Sequence, residues 1–330
     1  MARRLWWLVC VSVLMISAPA QAADKLARLV LAGPPAAVSF PLVRMIESGA
    51  LAEVADTVEF VLWRDPDQLR VLALNGKADV LAMPTNVAAN LYHKGVPLQL
   101  LNVSTWGMLW LVSRDPAVRT LADLKGKEVA IPFRADMPDI VFSVLAEAQG
   151  IAPKRYFHLR YVASPLDAMQ LLIMRRIDHA LLAEPAVSMA LRKTQSFPIS
   201  VIAPELHRGV DLQVEWGKTF KREARMPQAG IVAMGAALKD PALAARVAEA
   251  YADALVWCGD HAVECGQAVA RHVPQLMPEA VADSLAHSRL EAVSAQAARA
   301  ELQFFFDRLM AKDPALIGGR LPDDGFYAPQ

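Results

Sequence analysis

Few side chains able to make or break bonds stand at spacings that would let them act together. The seven histidines, at 93, 158, 179, 207, 261, 272 and 287, form no His-Glu-x-x-His or related ligand pattern, and the cysteines form no zinc signature. There is no Gly-x-Ser-x-Gly nucleophile turn, no phosphate loop and no dinucleotide fingerprint. What the sequence does offer, repeatedly, is a polar or aromatic group just after a short apolar run. Pro35 and Ser39 follow residues 29–32, Trp63 follows 58–62, Thr85 and Asn86 follow 80–84, and Trp106 follows 98–103. Phe133, Arg134 and Asp136 follow 128–131, and Glu184 follows 179–182. Hydroxyl, amide, carboxylate and ring face gathered in this way bind a solute rather than transform it. Each group also has a plainer use: Ser39 and Asp136 as helix caps, Trp63 as packing, Glu184 as the cap of a helix starting at Pro185. Glu215 and Trp216, with Gln213, lie on a return segment, residues 209–228, and complete the candidate set.

The elements that must position these groups recur along the chain. Residues 74–86 read as a helix end, an Asn75-Gly76 turn, an apolar strand and a polar loop opening the next helix. Residues 173–185 repeat that order 99 positions later, with Asp178 in the place of Asp79 and Glu184-Pro185 near Thr85-Asn86. At the same offset, residues 29–32 before Gly33-Pro34-Pro35 echo residues 128–131 before Pro132-Phe133-Arg134. A buried strand ending in a polar loop at a helix start is the usual ligand position of an open α/β sheet, so the repeat predicts two α/β lobes facing one cleft. Residues 199–202 are expected to form the last strand of the second lobe, and residues 230–235 to re-enter the first. In the final helix Leu302, Phe305, Phe306 and Leu309 share one face and are expected in the core.

The N-terminus has Arg3 and Arg4, an apolar run over residues 5–16, and small residues around Ala20-Gln21-Ala22. This is the pattern of a secretory signal cleaved before Ala23, so residues 1–22 are expected to be removed and the mature chain to be periplasmic. No later run reaches the roughly 18–20 apolar residues of a membrane helix. Lys+Arg and Asp+Glu both number 34, with no basic stripe, which argues against nucleic acid as a partner. Cys258 and Cys265 remain after cleavage; two buried thiols are one reading, and in an oxidising compartment a disulfide closing a small loop is favoured.

The segment Asp123-Leu124-Lys125-Gly126-Lys127-Glu128-Val129-Ala130, the pattern Gly76-Lys77-Ala78-Asp79-Val80 and the exported two-lobe plan together resemble periplasmic solute-binding proteins of bacterial ABC importers. The nearest branch is the NMT1-like group of nitrate, sulfonate, taurine and thiamine-precursor binders, and the resemblance covers most of the mature chain. It implies a type II periplasmic binding protein fold, two α/β lobes, each a mixed sheet flanked by helices, joined by two crossover segments. Lobe 1 is expected from residues 23–112 and 229–330, lobe 2 from 113–228. It further implies a monomer without cofactor or catalysis that traps a small molecule by hinge closure and delivers it to an inner-membrane permease. The alternatives are a sensory protein presenting its closed form to a receptor, or an enzyme like the thiamine pyrimidine synthases that share the fold. In this family the second-lobe turn is usually built from Gly, Ser or Thr wrapping an anionic head group. Here it reads Pro132-Phe133-Arg134-Ala135-Asp136-Met137-Pro138. Asp136 would repel an anion unless Arg134 compensates, which disfavours nitrate or a simple sulfonate, and Phe133 offers a face to a planar or apolar ligand.

Overall fold

The computed structural model describes residues 25–202 and 205–329; the expected signal segment lies outside the described residues. The strands, in chain order, are β1 (Leu29–Gly33), β2 (Val58–Leu62), β3 (Val80–Pro84), β4 (Gln99–Leu100), β5 (Asn102–Gly107), β6 (Leu109–Ser113), β7 (Glu128–Pro132), β8 (His158–Val162), β9 (His179–Ala183), β10 (His207–Asp211), β11 (Ala229–Ala233) and β12 (Arg289–Ser294). They form two mixed sheets. The first runs β12-β5-β11-β3-β1-β2 with β4 beside β11, and the second runs β10-β6-β9-β7-β8. In each sheet three strands at one side are parallel, β2-β1-β3 and β8-β7-β9, and antiparallel strands complete the other side. β1 and β9 are buried at every residue, as parallel strands covered by helices on both faces must be.

The chain passes between the sheets twice. The first passage is Gly107-Met108, where β5 ends in one sheet and β6 begins in the other. Residues 109–112, allotted by sequence to the first lobe, therefore pair in the second sheet. The apolar run 109–112 gives no hint of the change of sheet. The second passage ends at Gln228, before β11 joins β3 and β5. Both passages are held by glutamine amides. Gln213 accepts from the Leu109 N–H at 3.0 Å and donates to the Leu109 carbonyl at 3.2 Å, as a neighbouring strand would. Gln228 Oε1 accepts from the Met108 N–H at 3.1 Å. Thr85 fixes the return passage by donating its hydroxyl to the Pro227 carbonyl at 2.6 Å and its N–H to the Gln228 carbonyl.

Local chemistry accounts for the helix starts. Asp65 caps the helix Pro66–Leu74, Ser164 the helix Pro165–Ile173, and Asp211 the helix Leu212–Phe220, each accepting from backbone N–H groups of the first turn. Proline occupies the first or second position of several of these helices, where a missing N–H does no harm. The repeated aspartate Asp79 is structural: it accepts from Val30 N and from Ala236 N, tying β1 to the turn after β11. Two expectations change here. Residues 199–202 are a helical turn, Ile199–Ile202, not a strand, and residues 209–228 contain β10 and the helix Leu212–Phe220 rather than a plain return.

The C-terminal part reaches both lobes. Leu302, Phe305, Phe306 and Leu309 of the helix Arg299–Lys312 are buried, as their spacing predicts. Cys258 and Cys265 form a disulfide with Cα atoms 5.2 Å apart, joining the helices Pro241–Asp260 and Ala262–His272. Among the described residues no helix is long and apolar enough to cross a membrane.

Candidate functional site

A cavity of about 190 Å³ lies where the two sheets face each other, and its wall is drawn from strand ends of both. From the first lobe come Pro34 and Pro35 after β1, Trp63 after β2, and Met83 and Pro84 of β3. From the second come Phe133 and Asp136 after β7, Ser164 after β8, and Glu184 after β9. Met108 and Gln228 of the two passages form its floor between the lobes, and Gln275 closes it from the C-terminal part. The volume is below the roughly 300 Å³ at which pockets for drug-sized molecules begin, so the hollow suits a small solute.

The structure brings together five of the twelve residues singled out by sequence: Pro35, Trp63, Phe133, Asp136 and Glu184. Trp63 is buried and its Nε1 donates to the Ala82 carbonyl at 3.2 Å, which leaves the ring carbons for the cavity. Phe133 holds a left-handed backbone, φ 54°, at the turn leaving β7, and Ala135 does likewise at φ 61°. Such angles cost a non-glycine residue about 1–2 kcal/mol each, so the surroundings must enforce this turn. Part of that enforcement is visible: Asp139 accepts from the Ala135 N–H at 2.8 Å, and the Phe133 N–H reaches the Val162 carbonyl of β8.

Asp136 is compensated from the opposite lobe. Its carboxylate meets Arg70 of the helix Pro66–Leu74 at 2.9 Å, an ion pair that crosses the mouth of the cleft. Burial pushes its carboxyl above the usual range, against the attraction and hydrogen bond of Arg70. Arg134, the expected compensator, is exposed and lies over the Tyr161 ring at 5.2 Å. Glu184 is wholly buried, with Oε2 accepting from Ser188 N at 3.0 Å and Oε1 from Arg208 Nη2 at 2.8 Å. It caps the helix Ala186–Gln195 and carries its own counter-ion.

The other seven are placed elsewhere. Ser39 is buried beneath Gly33, and Thr85 serves the return passage. Asn86 lines a smaller crevice with Arg70 and Asp136. Trp106 donates to the Glu291 carbonyl and lies under Arg225, and Glu215 pairs with Lys218 and Gln149. Trp216 packs among Phe220, Phe304 and Phe305 in the core. An aromatic on a capped helix serves either purpose, and here the C-terminal helix covers it. Sequence reasoning missed Met108, Gln228 and Gln275; an amide directly before the apolar run 229–233 was the available signal for Gln228. Among the described residues no group of His, Cys, Asp and Glu could hold a metal ion.

Solved structures share this architecture. An ABC transporter structure from Parabacteroides distasonis superposes with a TM-score of 0.73 at 22% identity, covering 93% of this chain and 99% of that one. The alkanesulfonate-binding protein SsuA from Xanthomonas axonopodis pv. citri, bound to MOPS, gives 0.63 at 18% identity over 93% and 98%. The periplasmic nitrate-binding protein NrtA from Synechocystis PCC 6803 gives 0.62 at 16% identity over 78% and 70%. The fold is that of a periplasmic solute-binding protein. No protein-family model and no curated protein matches the chain. The turn after β7 carries Phe133, Ala135 and Asp136, and the cavity it borders is largely apolar.

Proposed function

We propose that this protein is the extracytoplasmic solute-binding component of an ABC importer, capturing a small organic molecule between two lobes by hinge closure and delivering it to a membrane permease. The cavity built jointly from strand ends of both sheets is the observation that supports this reading most directly. The lobe-spanning Arg70–Asp136 pair supports it too, because it forms only when the lobes approach. On this reading the chain is exported after removal of residues 1–22, works as a monomer and performs no catalysis. The lobes meet near residues 108 and 228, so that 25–107 and 229–329 move against 109–227.

Small-angle scattering and calorimetry on the mature protein test the proposal. A captured solute should bind one to one, be recovered unchanged, and make the particle more compact. Addition of the loaded protein to its reconstituted permease should raise ATP hydrolysis. A solute chemically altered by the protein would point to the enzyme instead, and binding without compaction would remove hinge closure.

A further inference from the structure

The second-lobe helix starts around the cavity bear on what charge it can take. The helix Met137–Ala148 begins with the Asp136 carboxylate and Pro138, the helix Pro165–Ile173 with Ser164 and Pro165, and the helix Ala186–Gln195 with the Glu184 carboxylate after which Pro185 follows. At these starts the Met137, Asp167 and Ser188 N–H groups are taken by side chains of this chain, and Pro138, Pro165 and Pro185 have none to offer an anion. Of the cations facing these carboxylates, Arg70 and Arg208 are engaged with Asp136 and Glu184. Arg64 lines the rim but is exposed to water. An anion entering the hollow would meet two carboxylates, each beside an arginine already engaged with it.

One fully buried side-chain donor in the cavity wall has no partner. Gln228 is fully buried and lines the cavity floor. Its Oε1 is identified as the acceptor by the Met108 N–H that points to it, so Nε2 is the donor, and Nε2 has no hydrogen-bond partner. A buried amide N–H without a partner is a standing cost that an acceptor on a ligand removes. The same amide holds Met108 at the passage between lobes, so occupation of its donor would be felt at the hinge.

We infer that the cavity takes a small uncharged, largely apolar molecule with one hydrogen-bond acceptor, and that Gln228 Nε2 donates to that acceptor. The inference rests on the capture reading above and narrows its ligand. Four probes of similar size test it by calorimetry with parallel scattering: acetophenone, ethylbenzene, benzoate and benzenesulfonate. Acetophenone should bind about tenfold more tightly than ethylbenzene, as one neutral hydrogen bond allows, and the two anions should show no saturable binding. Gln228→Glu keeps an acceptor for Met108 N–H and removes the donor, so it should bring acetophenone to within about twofold of ethylbenzene. If that variant does not fold, the four-probe series on the unaltered protein still decides. Equal or tighter binding of either anion, no preference for the ketone, or no binding of both neutral probes overturns the inference. An anion that binds and compacts the particle would overturn the ligand class alone and leave capture standing; binders of any charge that never compact it would count against capture itself.

Discussion

Replacing Arg70 by Ala strands the Asp136 carboxylate in the closed cleft. Removing one partner of a fully buried pair costs about 3–5 kcal/mol, whereas exposed pairs contribute about 0–1 kcal/mol. The Asp136 side chain is 9% exposed and that of Arg70 39%, which places Arg70→Ala between these limits, at about 2 kcal/mol. Asp136→Asn removes the charge that needs Arg70 and keeps a good cap for the helix Met137–Ala148, so it should stay within about 1 kcal/mol of the unaltered protein. The double variant should be more stable than Arg70→Ala by about 1 kcal/mol or more. pH supplies the second axis. The Asp136 carboxyl is raised by burial and lowered in part by Arg70. A raised carboxyl holds its proton more tightly in the folded, closed molecule, so its contribution is fully present below the ordinary carboxylate range and is lost as pH rises through the raised value. Without Arg70 that value climbs further, and the penalty of Arg70→Ala should be small in acid and largest near neutrality. Urea midpoints for the four proteins from about pH 4 to pH 7.5 measure this. A penalty independent of pH, or a double variant that simply sums the singles, would refute the reasoning.

Three further outcomes follow from the packing. Glu184→Ala leaves Arg208, whose side chain is 19% exposed, without its partner and uncaps the helix Ala186–Gln195; urea unfolding should show a loss of about 3 kcal/mol, and less for Glu184→Gln. Gly230→Ala would put a Cβ 1.9 Å from the Asn102 carbonyl oxygen, backbone against backbone, so β11 and β5 must part; we expect more than about 3 kcal/mol of destabilisation or loss of folded protein on expression. Trp216→Ala empties a site among Phe220, Phe304 and Phe305; thermal unfolding should report about 3–5 kcal/mol lost, while solute affinity of the folded fraction stays unchanged.

The two-sheet plan was legible because fully buried parallel strands read as apolar runs, and the loops that end them carry the cavity residues Pro35, Trp63, Phe133 and Glu184. Direction was not legible. Trp106 follows an apolar run as Trp63 does and Trp216 lies on the return segment, yet their rings face Arg225 and the C-terminal helix, and one-dimensional spacing does not distinguish a wall of the cleft from a wall of the core. Arg70 was invisible as the partner of Asp136 because 66 positions and a change of lobe separate them. The passage at Gly107-Met108 went unseen since β5 and β6 abut with one residue between, and residues 209–220 lost their strand and helix to an apparent connection.

The paired bonds between Gln213 and Leu109 bear on where the molecule can bend. A peptide gripped on its N–H and its carbonyl by one side chain is not a free swivel, so opening must twist the backbone on either side of residue 109 or unfasten the amide. Deuterium uptake at Leu109 would then track lobe separation itself, and a genetic screen for variants jammed ajar should return substitutions at Gln213 before it returns any at Gly107.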